Sequence, residues 1–232
     1  MVIEGNDFLD DRWTAPAHKV LKDAERLAER RRIYEASRMF VISCDLGRQH
    51  DASVICGLEG TSEDVAVRNV EVFNRTDYNA LSDRLLVIRE RLPDALLVFD
   101  ATGVGLGVLD LFLTRGVNPD LAVVITSGNK AHSGKDMTGT SRLSMPKAEL
   151  IAYITRLLNQ GAIQMGGTTP GFELLNKEIK QFTATVRKTG TIAYEAPTGQ
   201  HDDTVLSLAV GVAGYSWLAS RRNNRAAQQH QW

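Results

Sequence analysis

Long apolar runs are missing from this sequence, and none approaches the ~20 residues that a membrane-spanning helix needs. The stretch from Met1 to Asp11 is acidic and has neither the basic nor the apolar region of a secretory leader, so the expected compartment is the cytoplasm. Cysteine is scarce. Its two copies, Cys44 and Cys56, lie inside apolar strand-like runs, which suits small buried hydrophobes in a reducing compartment. No His and Cys cluster has the spacing of a zinc site. The tryptophans Trp13, Trp217 and Trp232 are too dispersed to form a base-stacking platform. An excess of one charge is missing too: 27 Lys and Arg face 28 Asp and Glu. A nucleic-acid partner would therefore be held by local basic segments, not by the field of the whole chain.

What remains is an ordinary globular composition, and 232 residues suit one domain with decorated ends. Residues 17–38 have the periodicity of a charged amphipathic helix, so residues 1–38 read as a helical extension or linker. The core, over 39–219, opens with Met39–Asp45, a nearly continuous apolar run that stops at a carboxylate, as a strand buried on both faces would. Ala52–Leu58 and Asp64–Phe73 follow after tight connections, and the three predict an antiparallel meander. From Tyr78 the period becomes helical until Pro93. Ala95–Asp100 is a second buried strand ending on Asp. A helix from Gly105 to about Arg115 and a strand Leu121–Thr126 complete a strand–helix alternation that predicts parallel pairing.

Residues 127–145 are rich in Gly, Ser and Thr and read as a long loop. Pro146 opens a helix that ends near Gly161, followed by a short strand Ala162–Met165 and a helix over 171–183. Val186–Lys188 and Thr191–Tyr194 flank Thr189-Gly190 as a hairpin. A strongly apolar helix starts at Asp202 or Asp203 and runs to about Ala219, leaving 220–232 as a flexible polar tail. The fold class is α/β: a mixed central sheet, antiparallel meander followed by parallel strands, flanked by helices.

Three acidic positions stand out. If the strands ending at Asp45 and Asp100 are adjacent and parallel, those acids lie side by side at the strand ends, where open sheets bind ligands. The last helix could bring Asp203 to the same point. Carboxylates gathered without basic partners repel, and hard divalent cations relieve that repulsion. Singly, each acid has a plainer explanation: Asp45 can bond turn amides and Asp202 can cap a helix.

The segments Asp45-Leu-Gly-Arg-Gln-His-Asp51-Ala-Ser, Leu97-Val-Phe-Asp100-Ala-Thr-Gly103-Val-Gly105 and His201-Asp202-Asp203-Thr resemble the nuclease domain of tailed-bacteriophage terminase large subunits. The Pro146-Lys147 helix entry and Gly161-Ala-Ile are similar to that family as well, and the likeness spans roughly 39–215. It implies an RNase H-like fold, cleavage of concatemeric double-stranded DNA in the host bacterial cytoplasm, and two Mg²⁺ or Mn²⁺ ions. By motif, Asp45 would bridge the ions, Asp100 would be the second ligand and Asp203 the third, with Asp202 either binding an ion or capping the helix. The implied partners are a packaging ATPase, the small terminase subunit and the portal. The chain departs from full-length terminase subunits in having no Gly-x-x-x-x-Gly-Lys-Ser/Thr loop, so it is not expected to hydrolyse ATP.

The remaining motifs are weaker. Gly103-Val-Gly105-Leu-Gly107 fails the dinucleotide fingerprint because Val108 stands where its last glycine belongs. Lys130, His132, Lys135 and Arg142 in the 127–145 segment are candidates for phosphate contact or a solvated loop. Lys147 fits phosphate contact or pairing with a site carboxylate, and Arg48 fits either role or plain solvation. His201 is a proton shuttle or a turn residue. Competing functions are a Holliday-junction resolvase or transposase core, an actin-like sugar kinase, for which the chain is short, and a non-catalytic DNA- or portal-binding module.

Overall fold

In the computed structural model the chain divides by its internal contacts into two compact units, Met1–Arg38 and Met39–Trp232. The structure describes residues 38–47, 52–74, 77–102, 105–128, 130–136, 139–181, 183–186, 192–195 and 202–229, together with Ala28. The helix expected over 17–38 therefore falls, apart from Ala28 and Arg38, outside the described residues.

The second unit is built on the apolar runs. β1 (Met39–Asp45), β2 (Ser53–Gly60) and β3 (Val65–Phe73) form the antiparallel meander, with Met39 paired to Gly60 and Ser53 to Phe73. Helix α1 (Tyr78–Arg91), whose first turn is capped by the Asp77 side chain, leads to β4 (Leu96–Asp100), which lies parallel to β1. Helix α2 (Gly105–Thr114) carries the chain to β5 (Leu121–Thr126), parallel to β4.

The segment expected to be a loop contains two strands. β6 (His132–Lys135) and β7 (Ser141–Pro146) pair with each other antiparallel, and β7 adds to β5 in parallel. The turn between them is closed by Asp136, whose side chain accepts from the Thr140 N–H (3.0 Å), and by Gly139 at φ +85°. Among the described residues of this hairpin only Leu143 and Met145 join the hydrophobic core, with Ser144 and Pro146 buried beside them. β6 is exposed along its whole length, so hydropathy alone gave little sign of the hairpin.

Helix α3 (Lys147–Asn159) follows β7 directly, β8 (Ile163–Met165) pairs parallel to β3, and helix α4 (Pro170–Gln181) ends two residues before the expected limit. β9 (Thr183–Val186) and β10 (Ile192–Glu195) form a separate antiparallel hairpin, with ends set one to three residues from those of the expected strands, and the Thr189-Gly190 turn lies outside the described residues. The last helix, α5, runs Asp203–Gln229, ten residues past the expected end at Ala219. The stretch from Ser220 to Gln229 is thus a helical continuation and not the polar tail expected there; good helix formers and the Arg221 guanidinium over the Trp217 ring (4.8 Å), one turn apart, carry it on. The main sheet has the order β6-β7-β5-β4-β1-β2-β3-β8. Among the described residues no helix is long and apolar enough to cross a membrane.

Strand alternation sorts the sheet's two faces. Ile42, Cys44, Leu97 and Phe99 pack with Leu81, Leu85 and Phe112 of α1 and α2. Val41, Leu96 and Val98 pack on the other side with α3, α4 and α5. On that side α5 comes close enough to exclude side chains. A Cβ at Gly211 would stand 2.4 Å from Leu58 Cδ1 and 2.9 Å from Ser43 Oγ, and one at Gly214 would stand 2.9 Å from Val98 Cγ2. Glycine is a poor helix former, and its presence twice in this helix reflects that approach. Gly211→Ala is expected to destabilise the protein by about 1–3 kcal/mol, while Gly134→Ala, whose Cβ meets open space, stays within about 0.5 kcal/mol of wild type. Urea unfolding of both variants checks this, and equal midpoints would contradict the close approach.

Candidate active site

The register fixes the first two acids. Val41 pairs with Leu96 and Ser43 with Val98, so one step further along the same face Asp45 stands beside Asp100. Neighbouring strands are about 4.8 Å apart, and both acids project towards the α5 side because they continue the Val41/Ser43 and Leu96/Val98 rows. Asp45 is half-buried and Asp100 is 7 % exposed.

Helix α5 is tied to these rows by its own side chains. Ser207 Oγ donates to the Val54 carbonyl (3.3 Å) and lies 3.4 Å from Ser43 Oγ. At the other end of β1 the Tyr215 hydroxyl donates to the Met39 carbonyl (2.8 Å). The helix therefore runs antiparallel to β1. Asp203 lies one turn before Ser207, about 6 Å along the axis, and Asp45 lies two residues beyond Ser43, about 7 Å in the same direction. Asp203 thus comes to the level of Asp45 along the strand axis, and with Glu178, Thr204, Val54, Val72 and Asn74 it lines a cleft of about 140 Å³ that neither Asp45 nor Asp100 lines.

Asp202 stands just outside the helix and turns elsewhere. The Lys147 ammonium, at the start of α3, donates to Asp202 Oδ2 at 2.8 Å. Asp202 occupies the N-cap position, with its carbonyl accepting from the Leu206 N–H (2.8 Å), but its side chain does not cap. That task falls to Glu178 of α4, a residue the sequence reading did not single out. Its Oε2 accepts from the Thr204 N–H (3.0 Å), the Thr204 hydroxyl (2.5 Å) and the Val205 N–H (3.3 Å). The available signal was its spacing: Phe172, Leu175 and Glu178 share one helical stripe, and all three are buried.

Burial pushes the Asp100 carboxyl above the usual Asp range, against the hydrogen bonds of Thr102 and the positive charge of Lys147. The Thr102 N–H donates to Asp100 Oδ1 at 2.7 Å. Burial likewise raises Glu178, opposed by its bonds to Thr204 and Val205 and reinforced by the charge of Asp202. Cys44, wholly buried on the opposite face, is raised by burial and then by the charges of Asp45 and Asp100. Burial alone pushes the Cys56 thiol up to about 12, so neither thiol is a ready ligand or nucleophile.

Among the described residues no three His, Cys, Asp or Glu side chains already stand together in a metal-holding arrangement. Asp45 and Asp100 stand at the strand edge and Asp203 lines the cleft, and the three do not close a cage. Their hard carboxylate oxygens nevertheless fit Mg²⁺ or Mn²⁺ as ligands. Arg48 and His201 lie outside the described residues. Lys130 and Lys135 are exposed on or beside β6, and Arg142 is half-buried on β7, paired to Ala122 on the face opposite the acids. The structure does not bring these three to the carboxylates.

No protein-family model and no curated protein matches the sequence. Solved structures do match. The large terminase nuclease of thermophilic phage G20c is 20 % identical over 78 % of this chain and 85 % of that one, with a TM-score of 0.56. Its crystal structure with bound magnesium aligns at 21 % identity over 76 % and 82 %, again with a TM-score of 0.56. Other crystal structures of that nuclease hold cobalt or zinc. The large terminase nuclease domain of a Thermus phage aligns at 21 % identity over 78 % of this chain and 82 % of its own, with a TM-score of 0.55. The chain has the fold of large terminase nuclease domains. Its mixed sheet, an antiparallel meander joined to parallel strands, is the one expected from the sequence.

The burial of Asp100 has a thermodynamic consequence. A carboxyl whose folded value is raised holds its proton in the native state where the unfolded chain has lost it, so stability falls as pH rises from about 4 through the raised value. Asp100→Asn keeps the acceptor for Thr102 and removes the charge. The metal-free variant is expected to melt a few degrees above wild type at pH 7–8, and the difference should shrink as the pH approaches 4. A lower melting temperature at pH 8 would show that burial of the charge is not the dominant cost.

Proposed function

We propose that this chain is the metal-dependent nuclease of a viral DNA-packaging terminase, cutting concatemeric double-stranded DNA by phosphodiester hydrolysis. One observation carries the reading: Asp45 and Asp100 are neighbours on one face of parallel strands, the face on which the helix that begins at Asp203 packs through Ser207, in a fold shared with large terminase nucleases. The G20c nuclease with bound magnesium supports a divalent cation.

On this reading Asp45, Asp100 and Asp203 hold two Mg²⁺ or Mn²⁺ ions. Bound there, the ions would supply an activated water and neutralise charge on the departing 3′ oxygen. Asp100 presents one carboxylate oxygen from a dry wall, its other oxygen held by the Thr102 N–H. Lys147 offsets part of the negative charge, ties Asp202 down and stands within reach of a phosphate. Lys130, Lys135 and Arg142 would meet the DNA backbone away from the acids, without reading sequence, and Arg48 would be a further phosphate contact. With a net charge of −1, DNA affinity is expected to be weak and salt-sensitive. Placement of the cut would come from a packaging ATPase, the small terminase subunit and the portal.

Nicking of supercoiled plasmid with Mg²⁺, with Mn²⁺ and with chelator tests the proposal. Wild type should cut only with metal, and Asp45→Ala should lose more than about a hundredfold in rate, as loss of a ligand removes several kcal/mol of transition-state stabilisation. Cleavage indifferent to chelator, or full activity of Asp45→Ala with Mn²⁺, would refute it.

A further inference from the structure

The buried acid on α4 has no part in the chemistry proposed above, yet it meets the one turn on which that chemistry depends. The first four N–H groups of a helix have no partner within it, and an N-cap side chain ordinarily takes those of the second and third residues. In α5 these belong to Thr204 and Val205. Asp202, in the capping position, directs its Oδ2 to the Lys147 ammonium at 2.8 Å. Glu178 reaches across from another helix and accepts both N–H groups and the Thr204 hydroxyl on a single oxygen.

Its own mounting is rigid. Phe172 and Leu175 are buried on the same stripe, and Gly171 sits so close to β3 that a Cβ there would stand 2.1 Å from the Val70 carbonyl oxygen. Glu178 is 5 % exposed, Thr204 is fully buried, and Glu178 and Asp203 line the same cleft.

Resting on the nuclease reading, we propose that Glu178 is the positioning residue for Asp203. It replaces the cap that Lys147 withdraws by engaging Asp202, and so fixes the direction in which Asp203 leaves the first turn of α5. It acts through Thr204 and Val205 and does not itself touch the reacting atoms. Partners one shell out from a ligand typically change metal affinity or activity by about 10–100-fold when removed.

The test uses the full chain, with Mn²⁺ titrated against thermal unfolding and plasmid cleavage followed in parallel. Glu178→Ala should remain folded by circular dichroism, raise the Mn²⁺ concentration for half-maximal stabilisation by about 10–100-fold, and lower kcat comparably while KM for plasmid stays within about threefold. Glu178→Gln offers an acceptor to the same donors and should recover to within about threefold of wild type. If Glu178→Ala fails to fold, Thr204→Val removes one of the three bonds and should still move the Mn²⁺ midpoint by about threefold.

A folded Glu178→Ala with the wild-type midpoint and kcat overturns the inference and leaves the nuclease reading standing, as does an unmoved Thr204→Val. Glu178→Gln as defective as the alanine variant overturns it too, since the charge and not the geometry would then matter. A wild type with neither metal-dependent stabilisation nor cleavage overturns both.

Discussion

Helix α5 lies too close to the sheet to carry side chains at Gly211 and Gly214, and the layout of the carboxylate edge follows from that contact. The approach sets the helix over the β1–β2–β4 rows, where Ser207 meets Ser43 and the Val54 carbonyl and Tyr215 reaches Met39. With the axis fixed at two points along β1, the first turn has little freedom: it must arrive at the C-terminal edge of the strand. Polar groups enter this interface only with partners, as the fully buried Ser43, Thr204 and Ser207 show. The helix is therefore placed by shape and by directional bonds together, and bulk hydrophobic packing alone would permit it to slide.

The same placement gathers charge of one sign in a poorly hydrated corner. Asp100 is almost fully buried and Glu178 nearly so, and both carboxyls are raised by it. Burying charge is costly unless hydrogen bonds or opposite charges answer it. Thr102 answers Asp100, the helix start answers Glu178, and Lys147 answers Asp202 directly and Asp100 at longer range. Lys147 reaches this corner because β7 runs parallel to β5 and ends at the same edge, delivering the first residue of α3 there. A site built this way trades native stability for a concentration of carboxylate oxygens that a cation would relieve.

How much of this was legible depended on what carried the signal. The strands buried on both faces, β1 and β4, announce themselves as apolar runs closed by Asp45 and Asp100, and the meander follows from short connections. The alternation of β4, α2 and β5 was enough to predict parallel pairing. The β6–β7 hairpin was not legible, since an exposed four-residue edge strand such as His132–Lys135 has no hydrophobic period to show. The extension of α5 to Gln229 was hidden for the opposite reason: its apolar face ends near Ala219 while its backbone continues on helix-forming residues. Glu178 was missed because a glutamate in an amphipathic helix reads as solvent-facing unless its stripe is followed residue by residue. Its partner, the start of α5, is distant in sequence and is found only in the fold.

The adjacent acids Asp202 and Asp203 show why spacing alone could not assign them. In an extended segment, neighbours point to opposite sides, and within a helix they diverge by about 100°. Asp202 is the last residue outside the helix and Asp203 the first inside it, so the pair straddles a change of backbone geometry and cannot serve one centre equivalently. Lys147 selects between them: engaging Asp202 leaves the helix start uncapped from within, and Glu178 closes it from without. Removal of the lysine would free Asp202 to turn back on Thr204 and Val205 as an ordinary cap, in competition with Glu178. The ion pair and the buried glutamate are in this sense one device, because each makes room for the other and both act on the turn that carries Asp203.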